Sequence, residues 1–320
     1  MATLIAQCRP HAMLLASAIM DSPIVRNAPM HASILQHLLR IDRHGERMQL
    51  GRAGLFQFRR ETRVLRAPFF SPCLIAVLAG EKRIHRGEET LLCRPGQWIG
   101  VGAGQEVSFT NLPDPHLGYF AGLTIVGDTG WMKRFADQYA AELPSTLDAD
   151  LVFTPDGVCW KTLSDYVEQV LLPQSSALDA ALVEHRWQAL WLALARQGVA
   201  RDLVLAQPGS WRERVARLID YDPAQDWRMG EVARRLAVSE ATLRRRLLEE
   251  NTSFAALLSD VRMGRALGLV MQTQQPIQRV AQACGYNSPS RFTDAFRARF
   301  GLTPTALRES HEQEREAEPA

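Results

Sequence analysis

The residues best suited to chemistry are arginines: Arg244, Arg245 and Arg246 in one stretch, Arg291 and Arg297 in another. A guanidinium presents a planar fork of donors that fits a guanine edge or a phosphate, whereas a lysine offers only a point charge. Each group follows a serine, Ser239 or Ser288, a residue type that caps a helix by accepting a backbone N–H. Pro289 suits the first helical position, where its missing N–H costs nothing. Phe292 and Phe296 are four apart and share a buried face, while Arg291, Asp294 and Arg297 are three apart and fall on another. In the earlier stretch Leu243 and Leu247 face inward and Ala241, Arg244 and Arg245 face other ways. The candidate contact set is Ser239, Glu240, Ala241, Arg244 and Arg245 with Ser288, Ser290, Arg291, Asp294 and Arg297. Arg246, beside inward Leu247, fits a phosphate contact or an ion pair. Asp294 would accept from a cytosine amino group or orient a neighbouring arginine. Whether Arg244 and Arg245 meet guanine or phosphate stays open, and a solvated helix face is the competing reading for each arginine.

The charge distribution supports the first reading. Residues 1–208 hold 20 Lys+Arg and 20 Asp+Glu, and residues 209–310 hold 16 Arg, no Lys and 11 Asp+Glu. The tail, 311–320, holds one Arg and four Glu. Positive charge is thus confined to one segment, and arginine alone carries it. A genome rich in arginine codons would raise the total without explaining the split.

Other chemistries find less support. His85, Cys93 and His116 lie where a metal-binding barrel would hold ligands, but no His-x-His pair is present, so no metal site is expected. Glu88-Glu89 follows a turn glycine and reads as a solvated hairpin tip. There is no P-loop and no GxSxG, and neither a catalytic residue nor a cofactor is expected. Trp98, Phe109, Tyr119 and Phe120 suit either an effector pocket or an ordinary core. The five cysteines lack CxxC spacing, which points to reduced thiols. The apolar run 12–20 is too short to span a bilayer and lacks a basic flank, so a cytoplasmic location is expected.

The elements that would position these residues fall into two sets. At 320 residues, two domains are expected. Residues 1–29 give mixed signals, and 30–41 has helical spacing that ends at His44-Gly45. From about 50 to 127, short apolar runs (55–58, 73–80, 89–93, 98–102, 106–109, 123–126) are cut by Gly/Pro turns, the pattern of an antiparallel barrel or sandwich. Helices are expected at 131–141, 159–171 and 177–197, packing on the barrel or pairing between subunits. A connector at 198–209 contains Gln207-Pro208-Gly209 and marks the boundary. Beyond it come helices at 211–219, 229–236, 240–250, 253–271, 277–284 and 288–300, with Asn251 suited to a left-handed closing position and Gly301 a C-cap.

Residues 232–247 and 280–296 repeat one design: Val-Ala early in a helix, a tight turn, a capping serine and a second helix with two inward apolar residues. Both fit the helix-turn-helix, whose second helix enters the major groove. Joined by one long helix, two such readers would sit about 34 Å apart to enter successive grooves.

The stretches SEATLRRRL, SFAALLSDVRMGRAL and IQRVAQACGYNSPSRFTDAFRARFGLTPTALR resemble the DNA-binding domain of AraC/XylS-family bacterial transcription regulators over about 211–308. Most members have Gly where this chain has Asn251. The resemblance implies an N-terminal effector-binding or dimerisation domain of cupin-like β-barrel form, and residues 69–99 resemble that barrel less specifically. The expected architecture is therefore multidomain: residues 1–207 as a cupin-like antiparallel barrel with flanking helices, 208–310 as an all-α domain with two helix-turn-helix motifs, and 311–320 as an acidic tail. The expected function is sequence-specific regulation, by activation, of promoter DNA with RNA polymerase as partner. A small-molecule effector and a homodimer are the further partners; no membrane is involved. The competing class is a cupin-type enzyme or small-molecule carrier with an accessory helical domain.

Overall fold

The computed structural model describes residues 30–42, 53–139, 151–172, 175–199 and 210–310, with isolated positions 141, 143 and 203. The expectations for residues 1–29, the turn at His44-Gly45, most of the connector and the acidic tail lie outside them. The first described helix, α1 (Met30–Asp42), precedes eight strands: β1 (Ala53–Phe58), β2 (Thr62–Phe69), β3 (Cys73–Ala79), β4 (Glu81–Arg86), β5 (Glu89–Cys93), β6 (Trp98–Val101), β7 (Gln105–Leu112) and β8 (Phe120–Val126). Next come α2 (Thr129–Tyr139), a short strand β9 (Val152–Phe153), α3 (Gly157–Leu171) and α4 (Ala177–Arg196). The C-terminal region is helical: α5 (Trp211–Tyr221), α6 (Met229–Arg235), α7 (Glu240–Glu249), α8 (Phe254–Gln272), α9 (Ile277–Ala283), α10 (Pro289–Phe300) and α11 (Pro304–Glu309).

The strands build two antiparallel sheets, ordered β1-β8-β3-β6-β9 and β2-β7-β4-β5. This corrects the expected closed barrel. Where closure would join β1 to β2, helices α8 and α10 pack against those strands instead. Side-chain alternation then gives each sheet two different faces. The five-stranded sheet turns Leu55, Leu74, Trp98, Leu123 and Ile125 outward, under α1, α3 and α4, whose Leu38, Trp160, Leu163, Trp187 and Trp191 complete that core. Its inner face, with Phe56, Phe58, Ile75, Val77 and Phe120, meets Val64, Ile84, Val107 and Phe109 of the four-stranded sheet.

That second core does not end at the sheets. It runs on through Met263, Ala266, Leu267 and Val270 of α8 to Val280, Phe292, Phe296, Phe300 and Leu307. The other end of α8 belongs elsewhere: Leu257 and Val261 join Val215, Ile219, Val232, Leu243 and Leu247 in a separate core. One 19-residue helix thus serves two hydrophobic cores.

Candidate nucleic-acid interface

Both candidate helices begin at the serines that the sequence singles out. Ser239 Oγ accepts from Thr242 N at 3.1 Å, and Ser288 Oγ accepts from Arg291 N at 3.4 Å. Each cap removes one of the orphan donors of a helix start. Leu243 and Leu247 anchor α7, and Phe292, Phe296 and Phe300 anchor α10, all buried. Asn251 stands at φ 55°, the left-handed geometry expected of it, and Gly301 caps α10 at φ 84°.

The inward anchors leave Ala241, Arg244, Arg245 and Arg246 exposed on α7, and Ser290, Arg291, Asp294 and Arg297 exposed on α10. Their electrostatic states differ. Arg246 donates to Glu249 at 3.2 Å, and Arg245 lies 3.8 Å from the same carboxylate. Arg297 donates to Asp294 at 3.2 Å, so this pair holds itself. Arg244 and Arg291 make no ion pair with the described carboxylates. Glu240 folds back over the preceding helix: a Cβ on Gly230 would come within 2.4 Å of its Oε1. Ser290 shares a hydroxyl contact with Ser288 at 3.1 Å.

Behind these faces, Arg262 of α8 ties the two helix pairs together. It donates to the carbonyls of Pro223 and Gln225, at 2.9 and 3.0 Å, in the loop before α6. The same guanidinium lies against Gly285, in the turn between α9 and α10. Sequence reading missed this residue because an arginine on a long helix carries no local signature of its target.

The residues considered for a metal do not converge. His85 Nε2 pairs with Thr110 Oγ1 at 2.8 Å, on the opposite face of the sheet from buried Cys93, and His116 is exposed in a loop. Burial, then the charges of Arg63 and Arg83, holds His85 below its ordinary pKa.

A family profile described as a helix-turn-helix domain matches residues 232–310, from α6 to the end of α11. Over 112 residues the chain is 40% identical to the HTH-type transcriptional regulator GadX of Escherichia coli O6:H1, covering 35% of this chain and 40% of that protein. The C-terminal helices are an AraC/XylS-family domain. The urease operon transcriptional activator of Escherichia coli is 30% identical over 142 residues, 43% of this chain and 47% of that protein. The chain therefore spans less than half the length of these curated relatives. In overall fold it is similar to ToxT from Vibrio cholerae, with a TM-score of 0.59 at 14% identity over 82% of this chain and 98% of that one. This fold likeness covers the sheets as well as the AraC/XylS-type helices.

Proposed function

We propose that this protein is a sequence-specific DNA-binding transcription regulator that activates promoters with RNA polymerase. In this reading residues 208–310 form the DNA-binding domain, with α6–α7 and α9–α10 as two helix-turn-helix motifs that place α7 and α10 in major grooves. The observation that carries it is the pair of serine-capped helices, each presenting an exposed arginine that pairs with none of the described carboxylates, Arg244 and Arg291, on the two ends of α8. Arg245, Arg246 and Arg297, each beside a carboxylate, serve as phosphate contacts once DNA displaces those partners. The transcriptional regulators among the relatives support the same class and weigh against the cupin-type enzyme.

Residues 1–207 form the ligand-sensing and dimerising domain, an opened relative of the cupin-like barrel. One ToxT structure from Vibrio cholerae holds an unsaturated fatty acid, which supports small-molecule sensing on this fold. For dimerisation, Leu178, Leu182, His185 and Leu192 form an exposed stripe along α4 at the spacing of a helix-pairing seam. The test is fluorescence anisotropy with a promoter duplex and a scrambled duplex between 50 and 200 mM salt. Log affinity should fall linearly with log salt and favour the promoter. Affinity that ignores salt, or equal binding of both duplexes, would sink the reading.

A further inference from the structure

Because α7 and α10 both start from a capping serine, their outer faces compare position by position. Two residues past the serine stand Ala241 and Ser290, six past it Arg245 and Asp294, and nine past it Leu248 and Arg297. At 3.6 residues per turn these positions share one face of each helix, turned away from the inward Leu243 and Leu247 or Phe292 and Phe296. All six residues are exposed. The geometry is common to both helices and the chemistry is not. On α10 the face shows a hydroxyl, a carboxylate and a guanidinium, whereas on α7 it shows a methyl, a guanidinium and an isobutyl group.

Among the described residues, the core that Leu243 and Leu247 enter does not include Leu248, which is 71% exposed. A lone exposed leucine is ordinary. What sets this one apart is its place. At roughly 100° per residue, Leu248 and Ala241 fall between Arg244 on one side of α7 and Arg245 on the other. They lie two turns apart, about 10 Å along the axis, so an apolar strip runs down the helix between two guanidiniums. A protein groove that covered the leucine would have to desolvate both arginines, which is costly without anions. The major groove supplies what each part needs: phosphates and guanine acceptors for the arginines, and the thymine 5-methyl group for an apolar side chain. A leucine has no donor or acceptor, so that methyl is the feature of a base edge it complements.

We propose that Leu248 is a specificity-determining residue that reads the 5-methyl group of a thymine, next to the base met by Arg244 and with Arg245 on the flanking phosphate. This rests on the reading of α7 as a recognition helix and names a base that it discriminates. The equivalent place on α10 holds Arg297, bonded to Asp294 at 3.2 Å, so that helix has no apolar group there to read a methyl. The preferred duplex is therefore chemically unequal: the half under α7 depends on a thymine methyl at this position, and the half under α10 does not.

The test begins with selection of duplexes from a random pool by the full chain. Each thymine of the selected site is then replaced by deoxyuridine, which pairs in the same way and lacks only the methyl. For one thymine the replacement should weaken binding about fourfold, the factor for one buried methyl-sized group. Leu248→Ala should bind the thymine and uracil duplexes alike, and Leu248→Met, which keeps an apolar reach, should restore the difference. Both variants should keep the fold, since the side chain stands outside the core. A site in which no thymine is sensitive to its methyl, or the same fourfold loss in Leu248→Ala, overturns the proposal and leaves specific DNA binding intact. A pool that enriches no sequence overturns the reading of α7 as a recognition helix, and this proposal with it.

Discussion

Among the arginines, exposure alone does not decide which side chain would contribute most to DNA affinity. Arg297 is exposed but bonded to Asp294, whereas Arg244 and Arg291 form no such pair with the described carboxylates. Arg244→Ala or Arg291→Ala should therefore each weaken specific DNA binding by about 1–3 kcal/mol, while Arg297→Ala should cost less. Anisotropy on the same duplex checks the order; a larger loss for Arg297→Ala would reverse it. Lys82, buried inside the sandwich and bonded to Asn111 Oδ1 at 2.7 Å, gives a second prediction at this scale, on stability. Its folded pKa, about 7, lies below the ordinary lysine value of about 10.4. Between those values the unfolded chain holds a proton that the folded amine has released, so stability rises with pH across the window. Below pH 7 both states are charged and the penalty of burying an ammonium is present in full. Cys73 and Cys93, facing the amine, are pushed up to about 12 by burial and stay protonated throughout. Denaturation midpoints at pH 7 and pH 10 should thus converge in Lys82→Met relative to the native sequence. An unchanged difference would mean that Lys82 is charged in the folded state.

At the scale of elements, what the sequence showed depended on how apolar each element is. Helices α7 and α10 follow from serine caps and inward Leu or Phe at three- and four-residue spacing, and the ends of the six expected C-terminal helices lie within two residues of expectation. Strands β2 and β4 escaped notice. TRVLRAPF and EKRIHR alternate buried and exposed positions, and their arginines face out. A sheet buried on one face only needs half its residues apolar, so its strands do not read as apolar runs. Register was equally invisible, and with it the pairing that brings Lys82 to Asn111. The turns show local strain plainly. Gly285 and Ala237 occupy equivalent turns at φ 76° and 56°. Gly285→Ala would meet the Arg262 guanidinium at 2.7 Å, and that group is held by its bonds to Pro223 and Gln225. Loss of about 2 kcal/mol is expected, from the left-handed backbone and from the displaced arginine. Ala237→Gly relieves the same backbone cost and should be tolerated, since the glycine's added unfolded-state entropy offsets the gain. Urea denaturation of both variants checks the contrast; equal losses would refute the turn argument.

Across the whole molecule, the two helix pairs are held unequally. The α9–α10 pair shares a continuous core with the sheets, while α6–α7 has a core of its own with α5 and the start of α8. Polar contacts reinforce the first arrangement. Arg66, on a β2 bulge at φ 45°, donates to the Ala298 carbonyl at 3.0 Å, and Arg59 N donates to the Ser310 carbonyl at 2.7 Å. Glu106 of β7 accepts from Arg299 at 2.7 Å and from Arg212 at 3.3 Å. Asp260 of α8 lies 3.3 and 3.9 Å from the same two arginines, its pKa raised by burial. One carboxylate from the sheets and one from α8 thus serve two arginines from different helices, of which Arg299 is only 14% exposed. Glu106→Gln removes the charge that belongs to the sheets and leaves Arg299 and Arg212 sharing Asp260. The expected loss is ~2 kcal/mol, the range for a part-buried charged hydrogen bond. That loss should appear at the seam between sheets and helices. In hydrogen exchange, α9 and α10 of the native protein should protect together with β2 and β7, and α6 and α7 should open as a separate unit. Glu106→Gln should speed exchange in α10 and β2 and leave α6–α7 unchanged. If α6–α7 accelerates equally, α8 transmits the loss along its length and the two cores open as one.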